Sequence, residues 1–298
     1  MGGRPVHAVP PRPDQRNGGE RHWKAGRWTM TSCSTPYAAG YRLEPPPAVP
    51  VLGPADCHVW WADPATVTDA CLALLDEVEQ DRIPQLRRTE DRQRFIAGRA
   101  LLRTAAAGYL GLPPQWVEVV ARCPDCARNH GKPELPGTGL QVSVSHSGSR
   151  VAVAVTRAGP VGIDVEEISA SVSPAELLPH VLGPAEPRTP AHVTTSGFHR
   201  MWTRKEAVLK ATGQGLRVPL SEVGVSAPEE DPRVLFLGGP AAVPAEDFAL
   251  ADLEAGAGCA AAVAVIGGGQ PVFTAYSRSR PSAAAFSAGP PRAAGPGR

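Results

Sequence analysis

Apolar residues recur along the chain with two periods, and the period distinguishes predicted helices from predicted strands. Apolar positions three or four residues apart predict helices over residues 64–84, 89–110, 174–181 and 196–212. Short β-branched or alternating runs predict strands over residues 57–62, 117–121, 141–145, 151–156, 161–166, 220–226, 233–237, 248–253, 259–266 and 272–276. Both halves of the chain combine helices with short strands, which predicts an α+β fold of two similar α/β lobes. Each lobe is expected to hold a small, mostly antiparallel sheet packed with helices.

Both ends of the chain lack this periodicity. The chain holds 33 Pro and 31 Gly among 298 residues, with dense stretches at both termini. Such segments cannot bury enough apolar surface to fold, so residues 1–48 and 278–298 are expected to be a disordered extension and a disordered tail. Residues 49–160 are assigned to a first lobe and residues 161–277 to a second. A start of translation at Met30 is a hypothesis consistent with this division.

Composition and charge argue against several classes of protein. The formal net charge is +1, whereas a general nucleic-acid binder carries a basic excess. The chain has no run of about 18 apolar residues that could span a membrane, and its N-terminus lacks the apolar segment of a secretory signal. Six cysteines in a chain of this length do not indicate a disulfide framework. We therefore expect a cytoplasmic, reduced protein with no nucleic-acid or membrane partner.

The predicted strand at 161–166 carries two carboxylates on one face. Asp164 and Glu166 are two residues apart, so they point to the same side, while Ile163 and Val165 point to the other. Two adjacent carboxylates repel each other, and hard oxygen ligands at this spacing suit Mg²⁺ or Mn²⁺ better than zinc. A solvated strand edge is the alternative interpretation.

The predicted helix at 196–212 interrupts an apolar stripe with a charge. The stripe consists of Phe198, Met201, Trp202, Val208 and Leu209. Lys205 falls in the middle of it, where an ammonium is unfavourable unless it extends to solvent or meets an anion at a domain interface. Glu206 lies at the edge of the stripe and could reach a metal. A helix-stabilising pair with Lys210, four residues later, is the alternative for Glu206.

The predicted helix at 89–110 carries arginines on one narrow face. Arg92, Arg99 and Arg103 are seven and four residues apart, and arginine on a rigid helix suits bidentate phosphate binding. A solvated basic face is the alternative. Similarly, Ser145 and His146 at a strand-to-turn boundary could hold a phosphate or a ribose, or belong to an ordinary hairpin turn.

The segment Cys123-Pro-Asp-Cys126, followed by His130, is half of a zinc-type pattern. Tetrahedral structural zinc is usually held by four protein ligands, and a fourth could come from Cys57 or His58 only through folding. A metal-free loop is the alternative for this segment. A zinc-knuckle interaction module is the non-enzymatic alternative for the whole chain.

Five motifs occur in the order typical of one enzyme family. Gly162-Ile-Asp164-Val-Glu166 and Trp202-Thr-Arg-Lys205-Glu206-Ala-Val-Leu-Lys210 together resemble the signature pair of the Sfp-type 4′-phosphopantetheinyl transferases. The three motifs that precede or flank this pair are Phe95-Ile-Ala-Gly98-Arg99-Ala-Leu-Leu-Arg103, His130-Gly131-Lys132-Pro133 and Val144-Ser145-His146-Ser147. The resemblance covers about residues 50–275 and points to the two-lobed, single-chain branch, which implies a monomer.

The resemblance implies transfer of the 4′-phosphopantetheine arm of coenzyme A to a serine of an apo acyl, peptidyl or aryl carrier protein, with release of adenosine 3′,5′-bisphosphate. It implies Mg²⁺ or Mn²⁺ held by Asp164, Glu166 and Glu206. Catalytic roles fall to Asp164, to Glu206 as the base for the serine hydroxyl, and to Lys210 as a charge stabiliser. The implied coenzyme A ligands are Arg92, Arg99, His130, Lys132, Ser145, His146, Lys205 and Lys210. A Mg²⁺-dependent phosphodiesterase or pyrophosphatase using the same acids is the enzymatic alternative.

Overall fold

The computed structural model describes residues 49–277, except Ala127 and residues 240–242. The expected disorder of both termini and the Met30 hypothesis concern residues outside the described ones. No helix in the described part of the chain is long and apolar enough to cross a membrane.

Helices and strands alternate irregularly through the described residues. The strands are β1 (Asp56–Ala62), β2 (Gln141–Ser147), β3 (Arg150–Thr156), β4 (Val161–Glu167), β5 (Val223–Val225), β6 (Val234–Leu237), β7 (Phe248–Asp252), β8 (Cys259–Ile266) and β9 (Val272–Ser277). The α-helices are α1 (Asp69–Leu72), α2 (Glu77–Arg82), α3 (Thr89–Leu110), α4 (Pro174–Val181) and α5 (Thr195–Thr212). Short 3-10 turns lie at Pro64–Thr66, Ile83–Gln85, Pro114–Trp116, Pro190–Val193, Gly215–Arg217, Leu220–Glu222 and Ala245–Asp247.

The strands form three small sheets. The first has the order β2-β3-β1-β9, with β1 parallel to β9 and the other pairs antiparallel. The second is antiparallel with the order β4-β8-β7, and β5 pairs with β6 in a two-stranded sheet. Small, mostly antiparallel sheets packed with helices confirm the predicted α+β class.

Each long helix covers the sheet next to it, and a glycine on the strand or helix permits the contact. Gly162 of β4 faces α5 so closely that a Cβ there would lie 2.0 Å from the carbonyl oxygen of Ala207. Gly98 of α3 faces β2 more loosely, since its Cβ would lie 3.2 Å from a methyl of Val144. The close approach of α5 to β4 sets the distance between the polar side chains of these two elements.

The single helix predicted over residues 64–84 is instead divided into two short α-helices, α1 and α2, with a 3-10 turn on either side. Asp76 caps α2 by accepting from the backbone N–H of Glu79, and the Glu79 carboxylate accepts from the N–H of Asp76 in return. This capping box starts a new helix, so the apolar spacing before it belongs to α1 and after it to α2. Pro84 then places the chain in a 3-10 turn.

Two of the predicted strands are shorter than expected. In the segment predicted as a strand over residues 117–121, only Val120 forms a β-bridge, with Glu134. The strand predicted over residues 220–226 is confined to β5, because a 3-10 turn at Leu220–Glu222 follows Pro219.

The last described strand joins the sheet of the first half. β9 follows β8 in sequence, yet it pairs with β1, with Trp60 opposite Tyr276 and their rings stacked 4.7 Å apart. The lobe boundary between residues 160 and 161 remains a prediction. Strand β9 was assigned to the second lobe, yet it pairs with β1 of the first.

Candidate active site

Strand β4 places the two predicted carboxylates at the edge of the second sheet. Asp164 is 2% exposed and Glu166 is half-buried, while Ile163 and Val165 on the opposite face are fully buried. One oxygen of Asp164, Oδ1, accepts from Ser145 Oγ at 2.8 Å and from Lys210 Nζ at 2.6 Å. The other, Oδ2, is buried and has no hydrogen-bond partner among the described residues.

Serine side chains connect β4 to β2, so that the edges of the two sheets meet at the site. The hydroxyl oxygens of Ser143, Ser145 and Ser147 accept from the backbone N–H groups of residues 163, 165 and 167 at 3.1, 3.3 and 3.1 Å. Ser147 also donates to Glu166 Oε2 at 2.8 Å. The hydroxyls take the place of a backbone ladder. The sequence had indicated these hydroxyls for a phosphate or a ribose; their spacing of two residues on a strand instead places all three on the face toward β4.

Helix α5 contributes an acid and a base to the same place. Lys210 Nζ bridges Asp164 and Ser145, the latter at 2.9 Å. Burial raises the pKa of Glu206 above its usual range, the neighbouring Lys210 lowers it, and the charges of Asp164 and Glu166 raise it further. The helix therefore brings Glu206 into the same electrostatic field as the β4 carboxylates. The alternative from the sequence was a Glu206–Lys210 pair; among the described residues, the ion pair of Lys210 is with Asp164, at 2.6 Å.

The three carboxylates are the candidate ligands for a cation. Burial, and then the charge of Asp164, raise the pKa of Glu166, so the negative charges are poorly compensated. Asp164, Glu166 and Glu206 supply only hard oxygen donors, and Asp164 Oδ2 is free to bind an ion. Their carboxylate oxygens do not all lie within 4.8 Å of one another. Two ligands of one Mg²⁺ ion lie at most about 4.2 Å apart, so all three carboxylates would bind it directly only after their side chains move closer, and water would fill the remaining positions.

A cavity of about 200 Å³ next to this centre is basic. It is lined by Arg82, Phe95, Gly98, Arg99, His130, Gly131, Pro133, Val144 and His146. The guanidinium groups of Arg82 and Arg99 lie 5.2 and 5.5 Å from the centroid of the Phe95 ring. Arg99 Nη1 is buried and lacks a hydrogen-bond partner within the described part of the chain. Two cations and an unused buried donor suit an anion such as a phosphate.

Three predicted ligands belong to this cavity or its border. Arg99 and His146 line it together with His130. Partial desolvation, followed by the positive charges of Lys210 and Arg94, lowers the pKa of His146, so its imidazole is neutral at pH 7. Arg82, at the end of α2, was missed by sequence reasoning, because nothing in its local sequence connects it with α3.

Lys132 lies on the other side of Pro133, in a second cavity of about 610 Å³. Its Nζ donates to the carbonyl of Ala211 at 2.9 Å, which links the loop after residue 131 to the end of α5. Burial lowers the pKa of Lys132 to about 8. Pro133 lines both cavities.

Several predicted ligands lie elsewhere. Lys205 is 0% exposed, and its Nζ donates to Glu186 Oε2 at 2.5 Å, to the carbonyl of Val181 at 2.8 Å and to that of Leu220 at 3.0 Å. The placement of Lys205 beside a substrate is therefore wrong: all three N–H donors are used in the core of the second half.

Two arginines of α3 are also engaged by the protein itself. Arg92 Nε donates to the carbonyl of Leu86 at 2.8 Å, and Arg92 does not line the basic cavity. Arg103 is buried and pairs with Glu79 and Asp76 at 2.8 and 2.5 Å. Of the three arginines predicted on one face, only Arg99 lines the basic cavity.

Ser145 differs from its predicted place in a nucleotide pocket. It is 6% exposed and lies between Asp164 and Lys210, so it orients the acidic centre. The turn that follows matches the predicted hairpin, since β2 and β3 are antiparallel and Ser147 lies opposite Arg150.

Comparison with known proteins connects this geometry with one enzyme family. The family model of the 4′-phosphopantetheinyl transferase superfamily matches residues 160–262, which include the acidic centre. The 4′-phosphopantetheinyl transferase HetI of Nostoc sp. is 32% identical over 246 residues, or 78% of this chain and 98% of the relative.

The matches to two further relatives cover a smaller share of each chain. A 4′-phosphopantetheinyl transferase of Bacillus subtilis is 27% identical over 53% of this chain and 68% of its own length. The 4′-phosphopantetheinyl transferase AcpT of Escherichia coli is 34% identical over 41% of this chain and 58% of its own length.

Proposed function

This chain belongs to the 4′-phosphopantetheinyl transferase superfamily, and we propose that it uses coenzyme A and Mg²⁺ to modify a serine of an apo acyl, peptidyl or aryl carrier protein. Transfer of phosphopantetheine to carrier proteins is the activity of the family. The observation that carries the assignment of residues is the buried Asp164 Oδ2, which has no hydrogen-bond partner among the described residues, on a carboxylate that pairs with Lys210 and shares the electrostatic field of Glu166 and Glu206.

Asp164, Glu166 and Glu206 would hold the magnesium ion. Bound Mg²⁺ would neutralise charge on the pyrophosphate of the donor, which is the main requirement of phosphoryl-type transfer. Lys210, fixed by Asp164 and Ser145, presents a positive charge at the same place. It stabilises the charge that develops on the leaving phosphate.

Glu206 acts as the general base. In the metal-free protein, burial and the two neighbouring carboxylates raise its pKa, and Lys210 lowers it. In the proposed step a Glu206 carboxylate oxygen accepts the proton of the carrier serine hydroxyl. The serine oxygen attacks the phosphorus, and adenosine 3′,5′-bisphosphate leaves. The nucleophile belongs to the partner protein.

The basic cavity binds the nucleotide end of the donor. Arg99 Nη1 and the Arg82 guanidinium supply charge-assisted hydrogen bonds to phosphate oxygens. Neutral His146 provides one donor and one acceptor at the cavity wall. Lys132 continues the positive lining into the second cavity.

Intact-mass analysis of an apo carrier protein incubated with coenzyme A and Mg²⁺ tests this function. A gain equal to one phosphopantetheine arm is expected for wild type, and Glu206→Gln should slow it by at least about 100-fold because the base is lost. The control is Glu176→Gln, the same change at an exposed glutamate of α4. No gain on any carrier type, or release of phosphate products without an acceptor, would contradict the proposal.

A further inference from the structure

The loop of residues 122–131 is closed at its base by the backbone. Val120 and Glu134 exchange two hydrogen bonds of 3.0 and 2.7 Å, and the N–H of Gly131 donates to the carbonyl of Ala121 at 2.7 Å. A Cβ on Gly131 would lie 2.5 Å from the carbonyl oxygen of Arg122, so only glycine permits this closure. The two ends of the loop are therefore held together, and its side chains are directed to a small common volume.

Three metal-ligand side chains meet at the tip of this loop. The Cys123 and Cys126 sulfurs and a His130 ring nitrogen all lie within 4.8 Å of one another. Cys126 Sγ and His130 Nε2 are 2.9 Å apart.

We propose that Cys123, Cys126 and His130 bind one zinc ion at a site separate from the magnesium carboxylates. Two sulfurs and an imidazole nitrogen form a soft to borderline ligand set, which selects zinc over Mg²⁺ or Ca²⁺. Zn–S and Zn–N bonds of about 2.3 and 2.0 Å place the Cys126 and His130 ligand atoms about 3.5 Å apart. A small rotation of the exposed His130 ring supplies that separation.

Apolar packing does not account for the fold of this tip. Cys123 is the buried residue of the described tip, and residues 122, 124–126 and 128–130 are exposed. An exposed loop without a core is normally mobile, and a bound metal is one way to order it. The zinc ion would tie both ends of the Cys123–His130 segment together.

The fourth position of the zinc tetrahedron would be taken by solvent. Cys57 and His58, which could have supplied a ligand, are held elsewhere: Cys57 is fully buried in the core, and His58 Nδ1 contacts the Tyr109 hydroxyl at 2.8 Å. Asp125 pairs with Arg217 at 3.6 Å. Three protein ligands and one water complete the site.

Metal binding would fix one wall of the basic cavity. His130, Gly131 and Pro133 line that cavity, and the Arg82 guanidinium donates to the carbonyl of Asn129 in the loop. His130 would then orient the wall as a zinc ligand, with Nε2 on the metal, instead of binding a phosphate. This inference goes beyond the proposed transferase activity and does not depend on it.

Metal analysis of the purified full-length protein tests the site. One equivalent of zinc is expected after gel filtration, and a thiol-blocking mercurial should release it. Cys123→Ser and Cys126→Ser should remove the zinc, and His130→Ala should weaken zinc affinity by at least about tenfold. Cys71→Ser, a matched change at a free thiol in α1, should retain it, as should Glu206→Gln in the acidic centre.

Cobalt gives a second readout that needs no variant. Wild type reconstituted with Co²⁺ should show the visible absorption of a tetrahedral ion and a sulfur-to-cobalt charge-transfer band. Zinc-free protein whose mass is lower by two hydrogens, with Cys123 and Cys126 joined in one peptide, would overturn the proposal in favour of a disulfide. Equal loss of zinc in Cys71→Ser would also overturn it. Neither readout involves transferase activity, so failure here leaves the proposed function untouched.

Discussion

Two neighbouring charged residues of α5, Lys205 and Glu206, lie in opposite electrostatic environments. Lys205 is fully buried, and its three donors meet one carboxylate and two carbonyls. Glu206 lies near Asp164 and Glu166, so its charge is opposed by two like charges and matched by Lys210. The hydrogen-bonding capacity of Lys205 is fully used, as in a protein core. The carboxylates around Glu206 outnumber the neighbouring cation, as they do in a cation-binding site.

Replacing Lys205 is expected to affect stability and not substrate binding. Lys205→Met leaves Glu186 buried without its cation and should lower the free energy of unfolding by about 3–5 kcal/mol. Adding Glu186→Gln should recover part of that loss, because the amide oxygen can still accept from the backbone N–H of Val225. Urea denaturation measures both variants. An unchanged stability with a raised KM for coenzyme A would return Lys205 to the active site.

The raised pKa of Glu206 makes a prediction about pH and stability in the absence of metal. A carboxyl whose pKa is higher in the folded than in the unfolded state binds a proton more readily when folded, so its contribution to stability is lost as pH rises through that window. In the presence of a chelator, Glu206→Gln should therefore be more stable than wild type at neutral pH, and the difference should disappear at acidic pH.

Denaturant titrations of both proteins over the pH range measure this difference. Subtracting one curve from the other cancels the histidines, which titrate in both. Added Mg²⁺ should raise the stability of wild type more than that of Glu206→Gln. A difference that is constant with pH would show that Glu206 is not buried among like charges.

At the scale of elements, the distance between α5 and β4 decides the geometry of the centre. Gly162→Ala would bring a methyl group to within 2.0 Å of the Ala207 carbonyl oxygen, which is backbone and cannot rotate away. The helix must move outward, which should cost about 1–3 kcal/mol and separate Lys210 from Asp164. Activity should fall with stability.

Thermal unfolding and the carrier-modification rate measure the two effects. The matched control is Gly269→Ala, where an added Cβ would meet no atom within 4 Å. Gly98→Ala should be intermediate, since the Val144 methyl that it meets can shift. Equal effects at all three glycines would contradict the packing argument.

The elements that could be predicted from sequence are those whose bounds depend on local signals. Helices α3 and α4 begin and end at the predicted residues, because glycine after Leu110 and proline at residue 174 mark them. The prediction of one continuous helix over residues 64–84 was wrong, because a capping box at Asp76 starts a new helix within a continuous apolar pattern.

Partners distant in sequence could not be predicted. The buried anion for Lys205 is Glu186, which lies in a loop 19 residues away without any pattern. Arg82 reaches the basic cavity only because α2 packs beside α3, through a shared contact with Phe95. Asp164, Glu166 and Glu206 were found because their spacing on a strand and a helix, together with the resemblance, singled them out.

At the scale of the whole molecule, two backbone connections are among the contacts that join the halves. The serine hydroxyls of β2 bind the backbone of β4, and β9 carries the chain from the second sheet back to β1. Both connections are made of hydrogen bonds that would be left unsatisfied if the halves separated. The described residues should therefore unfold as one cooperative unit, although sequence analysis assigned them to two lobes.

Removing β9 tests this cooperativity. A chain that ends at Pro271 is compared with one that ends at Ser277, so that the difference between them is the contribution of residues 272–277 alone. Loss of β9 exposes the edge of β1, and in a cooperative unit the free energy lost there lowers the protection of every strand. Amide hydrogen exchange followed by mass spectrometry should then show faster exchange in β8 as well as in β1. Faster exchange confined to β1 and its neighbours would mean that the two halves unfold independently, and that the boundary predicted at residue 160 separates two folding units in spite of β9.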